Sequence, residues 1–458
     1  KEQLQMFQFT NQYAATTLGQ AGGVALYISE FLSQFYVVIG IGPVIAALTL
    51  TGIAFFSFLF LKKISLRDDL PFVGLLPWLS LFIMQLDYDY QEQGTIAYLF
   101  LLFFLWLYTV MMVLGAYLRK WKEPTSLKKK CIWIGIQWVV IGFVAYEGIM
   151  RWGRLDTIDH LEQDYYIRNG EWDKVITSFN QTTLSKRRMC GLNLALAHKG
   201  ILSERLLDYP QRGIETLMLR WDQSVFTAEL HSDLYYCMGI ISTAQKFAFE
   251  AFVSSHPSGN PRMLKRLVET NLITGAYPVA EKYIQLLENT WYYKDWATDH
   301  RRFLYNDQAI KDDKELGVKR RCWKSETLIP EIYTDPVSTL IHLVPACPDN
   351  KAGLQYLTSF LLLNKDIETY KTLQESLYRS SAWRDMTECQ QEAIVICSPN
   401  DPHFWLEHGV SIKVRNRAIV FMQKVQDVSR SGQNPAVALA SEYGKTYWYY
   451  YMFNTINK

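Results

Sequence analysis

Several signatures of enzymatic chemistry are missing from this 458-residue chain. No Cys-x-x-Cys pair occurs, so its seven cysteines offer neither a zinc ribbon nor a thioredoxin-type motif. Neither G-x-x-x-x-G-K-[ST] nor G-x-S-x-G is present, and Gly40-Ile41-Gly42 lies inside an apolar run, so a phosphate loop and a hydrolase elbow lack support. His403 and His408 flank Phe404-Trp405-Leu406-Glu407 but stand five apart, about 140° around a helix, whereas a zinc-protease helix needs four. No metal site and no cofactor are therefore expected. Charge of one sign is scarce too: the net charge of +2 provides no basic face, and no nucleic-acid partner is expected. Strand-like alternation comparable in length to the helical patterns is also lacking.

What is present divides into an apolar first third and a polar remainder. Residues 1–35 form a lead-in, in which Leu26, Ile28, Phe31, Leu32 and Phe35 after Gly22-Gly23 predict an amphipathic helix lying at the outer bilayer surface. Four apolar runs follow within residues 36–150: Tyr36–Leu61, Leu70–Leu86, Thr95–Tyr117 and Cys131–Met150. Their lengths predict a transmembrane helix bundle, with Pro43 kinking the first span. Orientation comes from the loops. Lys62, Lys63 and Arg67 follow the first run, and Arg119, Lys120, Lys122, Lys128, Lys129 and Lys130 follow the third. The loop after the second run holds Asp87, Asp89 and Glu92 without Lys or Arg. The positive-inside rule places the basic loops in the cytoplasm and both chain ends outside. An external N-terminus is expected to follow an earlier signal or anchor segment.

Residues 151–458 read as helix, turn, helix. Tyr165–Ile176 turns at Asn169-Gly170, Asn193–Leu202 turns at Lys199-Gly200, and Asn271–Tyr283 turns at Thr274-Gly275. A weaker copy turns at Asn364-Lys365-Asp366. These stretches resemble tetratricopeptide hairpins: glycine allows the left-handed helix cap and small residues let paired helices approach. The period is irregular, and Trp291–Pro336 interrupts it. The expected fold is all-α, a membrane bundle followed by an α-helical-repeat solenoid outside the cytoplasm. Six cysteines fall in that part, where reduced core thiols and one or two bridges are both open.

The lead-in, the runs, the Trp172 and Asn193–Gly200 segments and the Tyr447–Tyr451 end, in this order, resemble an uncharacterised Bacteroidota family of polytopic membrane proteins. The resemblance implies a bacterial inner-membrane location and a periplasmic helical-repeat part. It carries over no functional residues.

Candidate chemistry is sparse. Asp87 and Asp89 suit an acid at the outer membrane surface, as in lipid-linked glycosyltransferases, and topology alone also places acids there. Glu147 is an intramembrane ionisable residue and would be the clue to a transporter subunit, or it pairs with Arg151 at the membrane edge. Arg188 with Asn193 and Arg266 with Asn271 suggest carboxylate clamps for peptides, but a five-residue spacing makes the side chains diverge. A solvated basic edge with core-satisfied asparagines is the alternative. The expected function is a membrane-anchored scaffold or complex subunit whose partners are envelope or inner-membrane proteins and the lipid bilayer. A membrane enzyme of envelope glycan or lipid metabolism is the main alternative.

Overall fold

The computed structural model describes residues 6–65, 79, 82–83, 107, 126–152, 155–179, 185–255, 259–327, 335–377, 386–399 and 401–454. Every element among the described residues is helical, which is the all-α class expected. The chain forms two compact units: Lys1–Asp159 with Val253–Leu264 and Lys282–His300, and His160–Phe252 with Lys265–Glu281 and Arg301–Lys458. The first unit thus runs past residue 150 to Asp159 and takes in two later stretches.

In the first unit, the helix Asn11–Leu18 starts at Thr10, whose side chain accepts from the Tyr13 amide, and packs on Gly23–Ser33. Phe7 is buried among the rings of Phe9, Tyr13, Tyr27 and Phe31, all edge-on at 4.9–5.3 Å. Trp291 reaches Phe9 and Phe35, and the Phe9 amide donates to the Asn289 carbonyl at 2.8 Å. These aromatic contacts are why residues near 290 belong to this unit.

The expected spans meet the structure unevenly. A 3-10 turn at Gln34–Val37 and Gly40 at φ 90° delay the first long helix to Ile41–Ser65. Pro43 therefore sits in its first turn, where a missing N–H breaks no helical hydrogen bond, and the expected kink has no cause there. Residues Ile41–Phe55 of this helix form an apolar stretch. Leu70–Leu86 and Thr95–Tyr117 lie outside the described residues apart from isolated positions. The last expected span is the helix Leu127–Trp152; it takes in Lys128, Lys129 and Lys130, which were expected in a loop. Among the described residues this is the one helix long and apolar enough to cross a membrane. Gly148 lets the Ile83 side chain pack directly on its backbone, the close approach that small residues allow between such helices.

The second unit is punctuated by one repeated turn. The amides of Glu171, Ile201, Ile240, Ala276, Asp366 and Val410 each donate at 2.9 Å to the carbonyl five residues earlier, closing the preceding helix as a Schellman motif. The preceding residue is left-handed each time, Gly275 at φ 81° and, less comfortably for a side chain, Lys365 at φ 57°. Contacts between helices do not follow a simple stack. Lys351–Leu363 packs on its neighbours Pro336–Ala346 and Ile367–Leu377, and also on Lys186–His198, Leu202–Arg205 and Val225–Met238. The Gln355 amide donates to the Gly200 carbonyl at 2.7 Å. A solenoid in which each repeat touches only its neighbours does not describe these contacts. The nearly all-round apolar sequence of Lys351–Leu363 is the reason: ten of its residues, Gly353, Leu354 and Tyr356 through Leu363, are buried, so it needs partners on every side.

Candidate functional site

The residues singled out by sequence do not converge. Asp87 and Asp89 lie outside the described residues. Glu147, on the Leu127–Trp152 helix, accepts from Arg151 Nε at 2.9 Å, one turn further on. Arg188 is buried, its guanidinium 5.3 Å from the Phe179 ring centre. Asn193 is fully buried and donates to the Thr216 carbonyl at 2.9 Å and to Gln211 Oε1 at 3.2 Å, pinning the chain after Leu206. Asn271 donates to the Leu267 carbonyl on its own helix at 2.7 Å. The asparagines serve the fold, and neither arginine stands at a solvated edge.

Arg266 is the centre of a charged cluster. It projects from Pro261–Thr274 onto the Tyr236 ring, 3.6 Å from its centre, and donates to Asp233 at 2.9 Å and Glu269 at 2.8 Å. Lys319 lies 5.2 Å from the same ring and donates to the Cys237 carbonyl at 2.8 Å. Burial works against the Arg266 charge, but Glu269 and Asp233 outweigh it and hold the guanidinium protonated. Burial pushes the Glu269 carboxyl up, and Arg266 opposes that shift. Both terminal nitrogens of the guanidinium are taken by carboxylates of the chain itself. This arrangement braces three helices; it is not an open clamp for a peptide carboxylate.

The first unit shows a different arrangement, an inverted surface. On Gly23–Ser33 the polar residues Ser29, Glu30 and Ser33 are buried while Val24 is 55% exposed. Tyr13 donates its hydroxyl to Glu30. Along Leu127–Trp152, Gln137 is buried while Trp133, Trp138, Val139 and Phe143 are exposed, Val139 at 72%. Only 17% of the most apolar window of this helix is buried. In water such a surface would be costly, because burying apolar side chains is the main favourable term in folding. Polar groups inside and apolar side chains outside suit a lipid solvent.

A protein-family model matches residues 1–121 and 109–454. The chain belongs to the Family of unknown function (DUF6057). No curated protein and no solved structure matches it. In this DUF6057 chain the match covers both the apolar first third and the helical remainder.

Sequence reasoning missed three features of the DUF6057 fold. The Arg266–Glu269 pair had a local signal, since three residues apart is one helix face. Glu326 and Glu392 had none, because they act across the fold. Glu326 accepts from the Ile241 and Ser242 amides at 2.8 and 3.2 Å, and Glu392 accepts from the Tyr447 amide at 2.6 Å. The third feature is the approach of Cys322 to Cys347, whose sulfurs lie 2.8 Å apart. Among the described residues no group of three or more His, Cys, Asp or Glu is placed to hold a metal ion.

Proposed function

We propose that this protein is a membrane-anchored scaffold or complex subunit of a bacterial inner membrane. Its helical remainder lies outside the cytoplasm and holds envelope or inner-membrane proteins. The observation that carries the anchoring is the inverted surface of Gly23–Ser33 and Leu127–Trp152, with apolar side chains outward and Ser29, Glu30 and Gln137 inward. In this reading a four-span bundle completes the surface, with the expected spans at 70–86 and 95–117. The aromatic cluster supports the orientation. Phe9 and Phe35 pack with Trp291, so the lead-in and residues near 290 share one side of any bilayer. Loop charge independently assigns that side as external.

The scaffold role rests on what the charged groups do. Arg266 and Asn193 are engaged within the chain, which leaves the helical surfaces themselves for recognition. The six Schellman turns support reading the helix pairs as tetratricopeptide-like units, here gathered around Lys351–Leu363.

Affinity purification of the full-length protein from native membranes tests the role. A stoichiometric protein partner is the expected result, retained by the Asp87→Asn, Asp89→Asn double variant. Co-purification of a lipid-linked sugar, with loss of the cellular phenotype in that variant, would replace the scaffold by a membrane enzyme. Reporter fusions within 62–69 and 118–130 should report cytoplasm, and fusions after Met150 should report the external side.

A further inference from the structure

Of the seven cysteines, Cys322 and Cys347 bring their sulfurs together. Cys190 turns its thiol to the Glu215 carbonyl at 3.3 Å, and Cys397 turns its thiol to the Ile367 carbonyl at 3.9 Å. Burial pushes both thiols up, Cys397 to about 12, and it pushes Cys237 up to about 11. Cys322 and Cys347 differ in kind. Their sulfurs stand 2.8 Å apart, and a disulfide bond of about 2.05 Å would need them to move by less than about 1 Å.

The backbone around the pair is already fixed by other bonds. Cys322 lies on the helix Leu316–Glu326, and Cys347 closes the helix Pro336–Ala346 as its C-cap. Two side-chain contacts cross the same gap on either side of the sulfurs: Arg321 to Asp349 at 3.0 Å and Ser325 Oγ to the Ala346 carbonyl at 3.4 Å. Below them, Asn350 Nδ2 donates to the Met238 carbonyl at 2.7 Å. A cross-link here would join elements that are already in register, the condition under which a disulfide stabilises without distorting the fold. Cys322 is fully buried, and Cys347 is 4% exposed in a turn between exposed Ala346 and Pro348. Cys347 is the thiol that a redox partner reaches first.

We propose that Cys322 and Cys347 are a disulfide-forming pair, closed by an oxidised thiol–disulfide oxidoreductase or another small disulfide. The Cys322 thiol donates to Cys347, and with Arg321 nearby this pulls the Cys347 thiol down towards the reactive thiolate. The Cys347 thiolate attacks one sulfur of the oxidant's disulfide and expels the first thiolate, leaving a mixed disulfide. Cys322 gives its proton to a released thiolate and attacks Cys347 Sγ, expelling the second. Overall, two protein thiols lose two electrons and two protons, and one external disulfide becomes two thiols. The supply of oxidant in the cell rests on the reading that this part lies outside the cytoplasm.

Two measurements on the full-length protein separate the pair from its compartment. In the first, native membranes are treated with iodoacetamide before lysis, and the digested protein is analysed by mass spectrometry without reductant. The second equilibrates the purified, reduced protein with oxidised and reduced glutathione and analyses it likewise. The expected result in both is a peptide joining Cys322 to Cys347, abolished by dithiothreitol and absent from Cys347→Ala. Closure in glutathione with alkylated thiols in membranes would uphold the pair and overturn the external placement. Open thiols in both, or pairing of Cys322 with a different cysteine, would overturn the proposal.

Discussion

Glu392→Gln should make the protein more stable at pH 8 and, by a smaller margin, less stable at pH 4. Glu392 is 3% exposed on Glu388–Cys397 and accepts from the Tyr447 amide at 2.6 Å, at the start of the helix Tyr447–Phe453. Burial pushes its carboxyl up to about 7 against an ordinary 4.5, although the Tyr447 amide and Arg417 pull the other way. Because the folded value is the higher one, the folded state keeps a proton that the unfolded chain has released between pH 4.5 and about 7. The contribution is complete below 4.5 and is lost as pH rises through that window. At 1.36 kcal/mol per pH unit the loss is about 3 kcal/mol. Glutamine never ionises, and its carbonyl can still accept from the Tyr447 amide. Its added N–H group needs a partner, a cost of about 1 kcal/mol. The expected net gain is about 2 kcal/mol above pH 7, changing to a loss of about 1 kcal/mol at pH 4. Glu326 and Glu269 are pushed up by burial as well, so the wild-type pH profile alone is ambiguous. The difference between wild type and variant in urea unfolding, taken every half pH unit in one detergent, isolates Glu392. A difference that does not change with pH would refute the reasoning.

Other perturbations follow from the same structure. Gly275→Val should cost roughly 1–2 kcal/mol or more in thermal unfolding, because φ of 81° strains a β-branched residue; an unchanged Tm would mean that the turn tolerates side chains. Arg266→Ala should cost about 2–4 kcal/mol, since Asp233 and Glu269 lose their shared cation, with Arg266→Lys recovering only part. Equal stabilities in urea for wild type and both variants would show that the cluster is not a brace. Tyr447→Phe should cost about 1–2 kcal/mol by the same assay, because a fully buried ring loses the 3.0 Å bond from its hydroxyl to the Leu362 carbonyl. A variant as stable as wild type would mean that this carbonyl finds water.

The turns were legible because a glycine after a helix is a local signal. Gly170, Gly200 and Gly275 all take positive φ, and so does Lys365 in the weaker copy. Gly239 closes the same kind of turn but was not singled out. It sits in Met238-Gly239-Ile240-Ile241, where no polar residue interrupts the apolar run. The wrapping around Lys351–Leu363 was beyond reach for another reason. The bond from Gln355 to Gly200 joins residues 155 apart, and no periodicity encodes it. Tyr447 and Trp448 are fully buried in the chain itself, and the Tyr450 hydroxyl donates to the Leu363 carbonyl at 2.9 Å. Residue type suggested a clamp at Asn193 and Asn271 and the five-residue spacing spoke against it, while the carbonyls that their amides reach were not visible in sequence.

Buried charge in the second unit follows the helix ends. Arg320 donates from Nε to the Ile273 carbonyl at 3.0 Å and from Nη2 to the Leu272 carbonyl at 2.7 Å, at the C-terminal end of Pro261–Thr274. Its remaining donors take Asp307 at 2.6 Å and the Tyr277 hydroxyl at 3.0 Å. Glu326 and Glu392 are the converse, carboxylates against the first amides of Ile241–Ser254 and Tyr447–Phe453. Cations at carboxyl ends and anions at amino ends are what the helix dipole and the unsatisfied terminal groups favour. Titratable groups with shifted behaviour often mark active sites. In this fold burial raises Glu326 and Glu392 while the helix-cap amides pull them down, so both shifts are explained without a substrate. Their removal should therefore be felt in folding first, and in partner binding only through the helices they hold.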